Sequence, residues 1–275
     1  MGSRMNVGTG ARILIGFVIA AFALIKYFAT SQVNPVTGQK QHIGISTQQE
    51  IALGLQAAPE MEQQYGGLAQ NPRETQLVEA VGQEVVAGSD AHTSPYQFQF
   101  HLLGDTQTIN AFALPGGQVF ITQALLHKLT TRGQLAGVLG HECGHVIARH
   151  SAQQLAKQQL TQGLTGAAAL ATYDPNNPST RNTAAVAAAI GSLVNLKFSR
   201  TDESEADKWG VKLISEAGYD PRAMLGVMEI LKREAGRGHQ PEFLSTHPDP
   251  GNRLEKIKKN IAELYPNGVP QGLKP

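Results

Sequence analysis

The residues with the clearest chemical capacity are consecutive: Gly140-His141-Glu142-Cys143-Gly144-His145. Imidazoles four positions apart on a helix share a face and reach a single ion, while the Glu next to the first is poised to act on water beside it. Neutral imidazole suits zinc, and a catalytic zinc keeps one coordination position open. One Zn2+ per chain is the cofactor this spacing calls for, with His141 and His145 as ligands and Glu142 as the base that takes a proton from water.

The third ligand has to come from elsewhere. The metzincin pattern needs Gly three and His six residues after the second His; those positions are Ala148 and Ser151, which excludes it. His150 follows His141 by nine residues, about half a turn round a continuous helix, so it is expected to face away from the metal in a structural role. Downstream, Asp202-Glu203-Ser204-Glu205-Ala206-Asp207 offers several carboxylates. Glu203 and Asp207 are four apart, so one can coordinate while the other hydrogen-bonds a ligand imidazole, and Glu205 points elsewhere. Thr246-His247-Pro248 places His247 on a loop restrained by proline, a candidate second electrophile for a tetrahedral oxyanion. Arg253 is a candidate for binding substrate or bracing the site. Asn110-Ala111-Phe112-Ala113 reads as a strand along which an extended peptide could pair.

Helices must position most of these groups. The zinc helix is expected to run from about Thr131 through His150 toward Leu160. Other helices are expected from Thr47, with Glu50 as a capping partner, and over Glu74–Ala87, Asp202–Ala217, Arg222–Glu234 and Pro250–Tyr265. Tyr96 to Leu102 alternates aromatic and polar residues, as a half-buried strand does. Thr108 to Leu114 and Gln118 to Thr122 read as strands joined through Pro115-Gly116-Gly117. Two Ala-rich segments, Gly166 to Thr172 and Ala184 to Leu196, read as close-packed helices flanking a loop over Tyr173 to Asn182. The class is α+β, mostly helical.

The 275 residues carry 23 Lys+Arg against 22 Asp+Glu. That balance speaks against a nucleic-acid partner, which needs a surplus of cations. Ile13 to Ile25 is uninterrupted apolar sequence after Arg4 and Arg12. Residues 1–32 are therefore expected to be a signal anchor that holds the chain on a membrane with the rest extracytoplasmic, as in a bacterial periplasm. The alternative is a signal peptide cut near Ala29-Thr30-Ser31, giving a secreted protein. A polar linker follows, the catalytic domain covers 33–266, and 267–275 form a tail. Cys143, the single cysteine, stands between the metal's ligands, where its oxidation is expected to inhibit.

Gly-His-Glu-x-Gly-His, then Ser199-Arg200-x-x-Glu203-x-x-Ala206-Asp207, then Thr246-His247-Pro248 with Arg253 beyond, together resemble metallopeptidase family forty-eight. This is the family of the membrane-linked quality-control peptidases HtpX, BepA and LoiP and of the CAAX prenyl proteases. The similarity runs from about Ile43 to Ile261 and takes in Glu50 to Gly54 and Asn110 to Gly117. It implies a gluzincin, zincin-like fold with a small antiparallel-containing sheet and an active-site helix. It further implies that His141, His145 and Glu203 are ligands, that Glu142 is the base, and that Asp207 orients His141. In relatives, the equivalent of His247 is also linked to occupying the open zinc position. The expected activity is a membrane-associated zinc endopeptidase degrading unfolded or misassembled envelope proteins. The alternative is a chaperone-like assembly factor that binds clients over a latent zinc site.

Overall fold

The computed structural model describes residues 9–171, 197–236, 241–249 and 252–275. The Ala184 to Leu196 helix and the Tyr173 to Asn182 loop expected from sequence lie outside them.

A mixed three-stranded sheet and two crossing helices organise the centre. β3 (Gln99–Leu103) runs parallel to β5 (Gln118–Thr122), and β4 (Ala111–Ala113) pairs antiparallel with the other side of β5, giving the order β3-β5-β4. The β4–β5 hairpin turns through Gly116 and Gly117 at φ 84° and 104°, a conformation that a side chain would strain. Both strands of the hairpin match the sequence reading, with β4 shorter than the Thr108 to Leu114 run. β1 (Ser31–Val33) and β2 (Lys40–His42) form a separate antiparallel ribbon within the segment expected to be a plain linker.

The helices follow their amphipathic patterns. α2 (Thr47–Gln64) starts one residue earlier than the sequence suggests: Ser46 is the cap and completes a capping box with Gln49, which leaves Glu50 free for the interior. α3 (Pro72–Ala87) buries Val78, Val81 and Val85 against Phe98, Phe100 and Leu102. A short α4 (Gln123–Leu126) leads into α5 (Arg132–Ile147), the helix that carries the His-Glu motif. α5 crosses α7 (Arg200–Glu216) closely because glycine sits at the contact. A Cβ at Gly144 would lie 2.9 Å from the Ala206 carbonyl oxygen, and one at Gly140 would lie 2.6 Å from Ile214 Cγ2. α8 (Ala223–Gly236), α9 (Glu242–Thr246) and α10 (Arg253–Leu264) complete the helical layer.

The expected long zinc helix is two helices. α5 ends at Ile147, Arg149 takes φ 58°, and α6 (His150–Ala171) leaves in a new direction along α1 (Thr9–Ala29). An ion pair between the Arg149 guanidinium and Glu50 holds the left-handed turn, and Tyr96 Oη donates to Glu50 at 2.8 Å. On the other side, Asn34 and Gln41 of the ribbon donate to the carbonyls of Ile147 and Ala148 at 2.7 and 2.6 Å, satisfying the end of α5. Residues beyond 266 are docked as well: the Gly133 N–H donates to the Pro275 carbonyl, and Lys274 bonds to Gly218.

Candidate metal centre

α5 presents His141 and His145 on one face, and α7 presents Glu203 on the facing side. His145 Nε2 lies 3.1 Å from His141 Nε2 and 3.3 Å from Glu203 Oε1, while His141 Nε2 is 3.5 Å from Glu203 Oε2. His247, at the C-terminal end of α9, completes the group. One ligand atom from each of His141, His145, Glu203 and His247 lies within 4.8 Å of the others, and all four residues are buried.

Among the described residues neither Glu203 oxygen has a hydrogen-bond partner, and the same holds for both Glu142 oxygens and His247 Nε2. Buried orphan polar atoms are expensive, and here they converge with two imidazoles. Three nitrogen donors and a carboxylate are a donor set that fits a zinc-like divalent ion.

The surrounding residues aim these donors. His141 Nδ1 is 3.0 Å from Asp207 Oδ1, so its other nitrogen faces the centre. Arg253 grips Asp207 through two bonds of 2.8 Å and reaches Glu203 Oε2 at 3.4 Å. It braces two carboxylates and is itself buried. Burial alone would raise the Asp207 pKa, but the Arg253 guanidinium and His141 hold it below the usual carboxylate range. Burial also opposes ionisation of Glu203, and His247, His141 and His145 overcome it, so its carboxyl is pushed well down. For Glu142 burial outweighs the opposing charges of His141 and Arg253 and carries its pKa up to about 7, near the value that suits a general base at neutral pH.

Two aromatic side chains pack the ligands. Phe198 stacks on His145 with ring centroids 4.0 Å apart, and Phe243 stacks on His247 at 4.3 Å. His247 Nδ1 bonds to the Phe243 carbonyl at 3.2 Å, leaving Nε2 toward the centre, 3.6 Å from Glu142 Oε1. Neither phenylalanine carries a mark in the sequence, since an aromatic residue before a helix cap, as Phe198 is, or inside a short helix, as Phe243 is, usually signals core.

The structure brings Glu203, Asp207, His247 and Arg253 to the pair on α5. It keeps Glu205 out of the centre, as its position on α7 predicts. His150 is also outside the ligand group, but it does not point away: the break at Arg149 sets its Nδ1 2.9 Å from His145 Nδ1. β4 is an edge strand, yet Asn110, Ala111, Phe112 and Ala113 are all buried. Asn110 Nδ2 donates to Tyr65 Oη and to Glu242 Oε1, and the Phe243 N–H donates to the Ile109 carbonyl. α9 is thus tied to the N-terminal end of the strand expected to receive substrate. Cys143 is wholly buried, and burial raises its pKa, which removes both the access and the thiolate that ready oxidation needs.

A histidine pair on one helix and a glutamate on the helix that crosses it, around a convergent set of orphan polar atoms, define a metallopeptidase of the His-Glu-x-x-His-plus-Glu class. The model of Peptidase family M48 matches residues 72–261, and the chain belongs to that family. It is 30% identical over 262 residues to the beta-barrel assembly-enhancing protease of Escherichia coli (strain K12), covering 93% of this chain and 52% of that protein. It is 31% identical over 242 residues to the mitochondrial metalloendopeptidase OMA1 of Schizosaccharomyces pombe, covering 87% of this chain and 69% of that protein. The chain spans about half the length of the beta-barrel assembly-enhancing proteases it matches.

Proposed function

We propose that this protein is a zinc endopeptidase, anchored to a membrane by residues 1–32, whose 33–266 domain cleaves unfolded or misassembled envelope proteins on the extracytoplasmic side. The observation that carries the reading is the buried Glu142 carboxylate, without a hydrogen-bond partner among the described residues, beside the His141, His145, Glu203 and His247 cluster. A zinc ion held by His141, His145 and Glu203 would supply Lewis acidity for the scissile carbonyl and acidify the attacking water. Glu142 takes the proton from that water and delivers it to the departing amine. Asp207, clamped by Arg253, keeps the His141 ring in one tautomer and orientation. β4 offers its main chain to an extended substrate, a mode of binding that favours unfolded polypeptide over one sequence.

The membrane part rests on α1. Gly10–Ala29 is long and apolar enough to cross a bilayer by length and composition, and its large side chains face outward. The relatives, a beta-barrel assembly-enhancing protease and a mitochondrial metalloendopeptidase, support an endopeptidase linked to beta-barrel assembly.

Glu142→Gln is expected to lower casein cleavage by about 100-fold or more, with metal content unchanged. Cleavage by the variant at the wild-type rate would end this reading, as would wild-type cleavage that persists in excess chelator. A second reading is a client-binding assembly factor with a latent site. Complete burial of both His247 and Glu142 favours it. There, metal-loaded wild type binds unfolded protein without cutting it and His247→Ala cuts; a His247→Ala protein less active than wild type would instead make His247 part of the catalytic machinery.

A further inference from the structure

The two histidines of α5 are backed differently. His141 meets a carboxylate directly at Asp207, whereas the Nδ1 of His145 has no carboxylate within reach among the described residues and faces the Nδ1 of His150 at 2.9 Å. His150 Nε2 in turn lies 3.4 Å from Glu205 Oε2. His150 is completely buried, and Glu205 is the partly exposed end of the row.

The protons along this row follow from its direction. With its Nε2 turned to the Glu203 and His141 side and its lone pair given to the metal, the neutral His145 ring must carry its hydrogen on Nδ1. That hydrogen can only be donated to the Nδ1 lone pair of His150, which places the hydrogen of His150 on Nε2, directed at Glu205. We infer that His150 and Glu205 form a relay that positions His145, fixing its tautomer and ring orientation for metal binding as Asp207 does for His141. The inference rests on His145 being a ligand, but not on the reaction catalysed. A continuous helix could not build the relay, because five residues would place His150 some 140° round from His145. The left-handed Arg149, locked by Glu50, is what turns His150 back.

Loss of such an outer partner typically weakens metal binding about 10- to 100-fold. The test is zinc affinity of the full chain in detergent, by competition with a chromogenic chelator, alongside the thermal midpoint of each metal-free protein. His150→Leu is expected to lose about 10- to 100-fold in affinity with its metal-free midpoint unchanged. His150→Asn, which puts an acceptor oxygen near the Nδ1 position, is expected to recover most of that loss, and Glu205→Gln to show a smaller one. Wild-type affinity in His150→Leu overturns the relay. Equal weakness of the Leu and Asn variants with lowered metal-free midpoints makes His150 a packing residue instead. Wild-type affinity in Glu205→Gln removes Glu205 from the relay. A wild-type chain that binds no zinc overturns the ligand assignment and the relay with it. Zinc affinities in the expected order without casein cleavage leave the relay standing and defeat the proteolytic reading.

Discussion

α5 and α1 are opposites. α5 is buried on every side from Leu135 to Ile147 although it carries two histidines and a glutamate. α1 is almost wholly apolar yet exposes Phe17, Phe22, Ile25 and Phe28, each more than 60% accessible. A helix's surroundings therefore cannot be read from its hydrophobicity alone: α5 tolerates buried polar groups because they face one another and a cation site, and the exposed apolar groups of α1 would be tolerated with lipid as solvent, as proposed above. Stability should be concentrated in the first helix and membrane partitioning in the second.

The sharpest way to break that division is Gly144→Val. The added side chain would strike the Ala206 backbone where α5 crosses α7, and overpacking against backbone should cost about 3 kcal/mol or more, read as a collapse of the urea-unfolding midpoint. A midpoint equal to wild type would mean that the crossing is looser than the distances state. Next in size is Phe17→Lys on α1. Removing the apolar centre of a span is expected to weaken membrane insertion by about 2.5–3.5 kcal/mol, seen as a shift to the soluble fraction, with the domain's unfolding midpoint unmoved. If the midpoint fell as far as for Gly144→Val, α1 would belong to the folded core. The smallest effect is expected for Thr131→Ala. Its hydroxyl accepts from the Gln134 N–H at the start of α5, and its loss should destabilise by about 1 kcal/mol in the same unfolding measurement.

What could be read from the sequence was local. His141 with His145, and Glu203 with Asp207, are pairs four residues apart, and helical periodicity alone puts each on one face. The β4–β5 hairpin announced itself through two consecutive glycines. The end of α5 did not, because Arg149 adopts the left-handed region without the Gly or Asn that usually marks it; a buried ion pair to a residue 99 positions earlier holds it there. Asn34 and Gln41 looked like polar linker residues, and their purpose appears only once carbonyls more than 100 positions away arrive beside them. His150 shows the effect of such distant constraints most directly: continuous-helix geometry turned it away from the metal, and the break returned it to His145. The docking of α9 just before β4 was equally hidden, since the Phe243 to Ile109 bond joins two segments whose separate patterns do not refer to each other.

The position of Cys143 has a practical consequence. It is the chain's single thiol, completely buried in the active-site helix between the residues that face the metal. A thiol reagent can reach it only when α5 is uncovered, by local opening or by global unfolding. Its labelling rate in native buffer is therefore a built-in clock for excursions of the catalytic helix. Comparing that rate with and without metal would measure how far the ion suppresses those excursions, with no engineered probe.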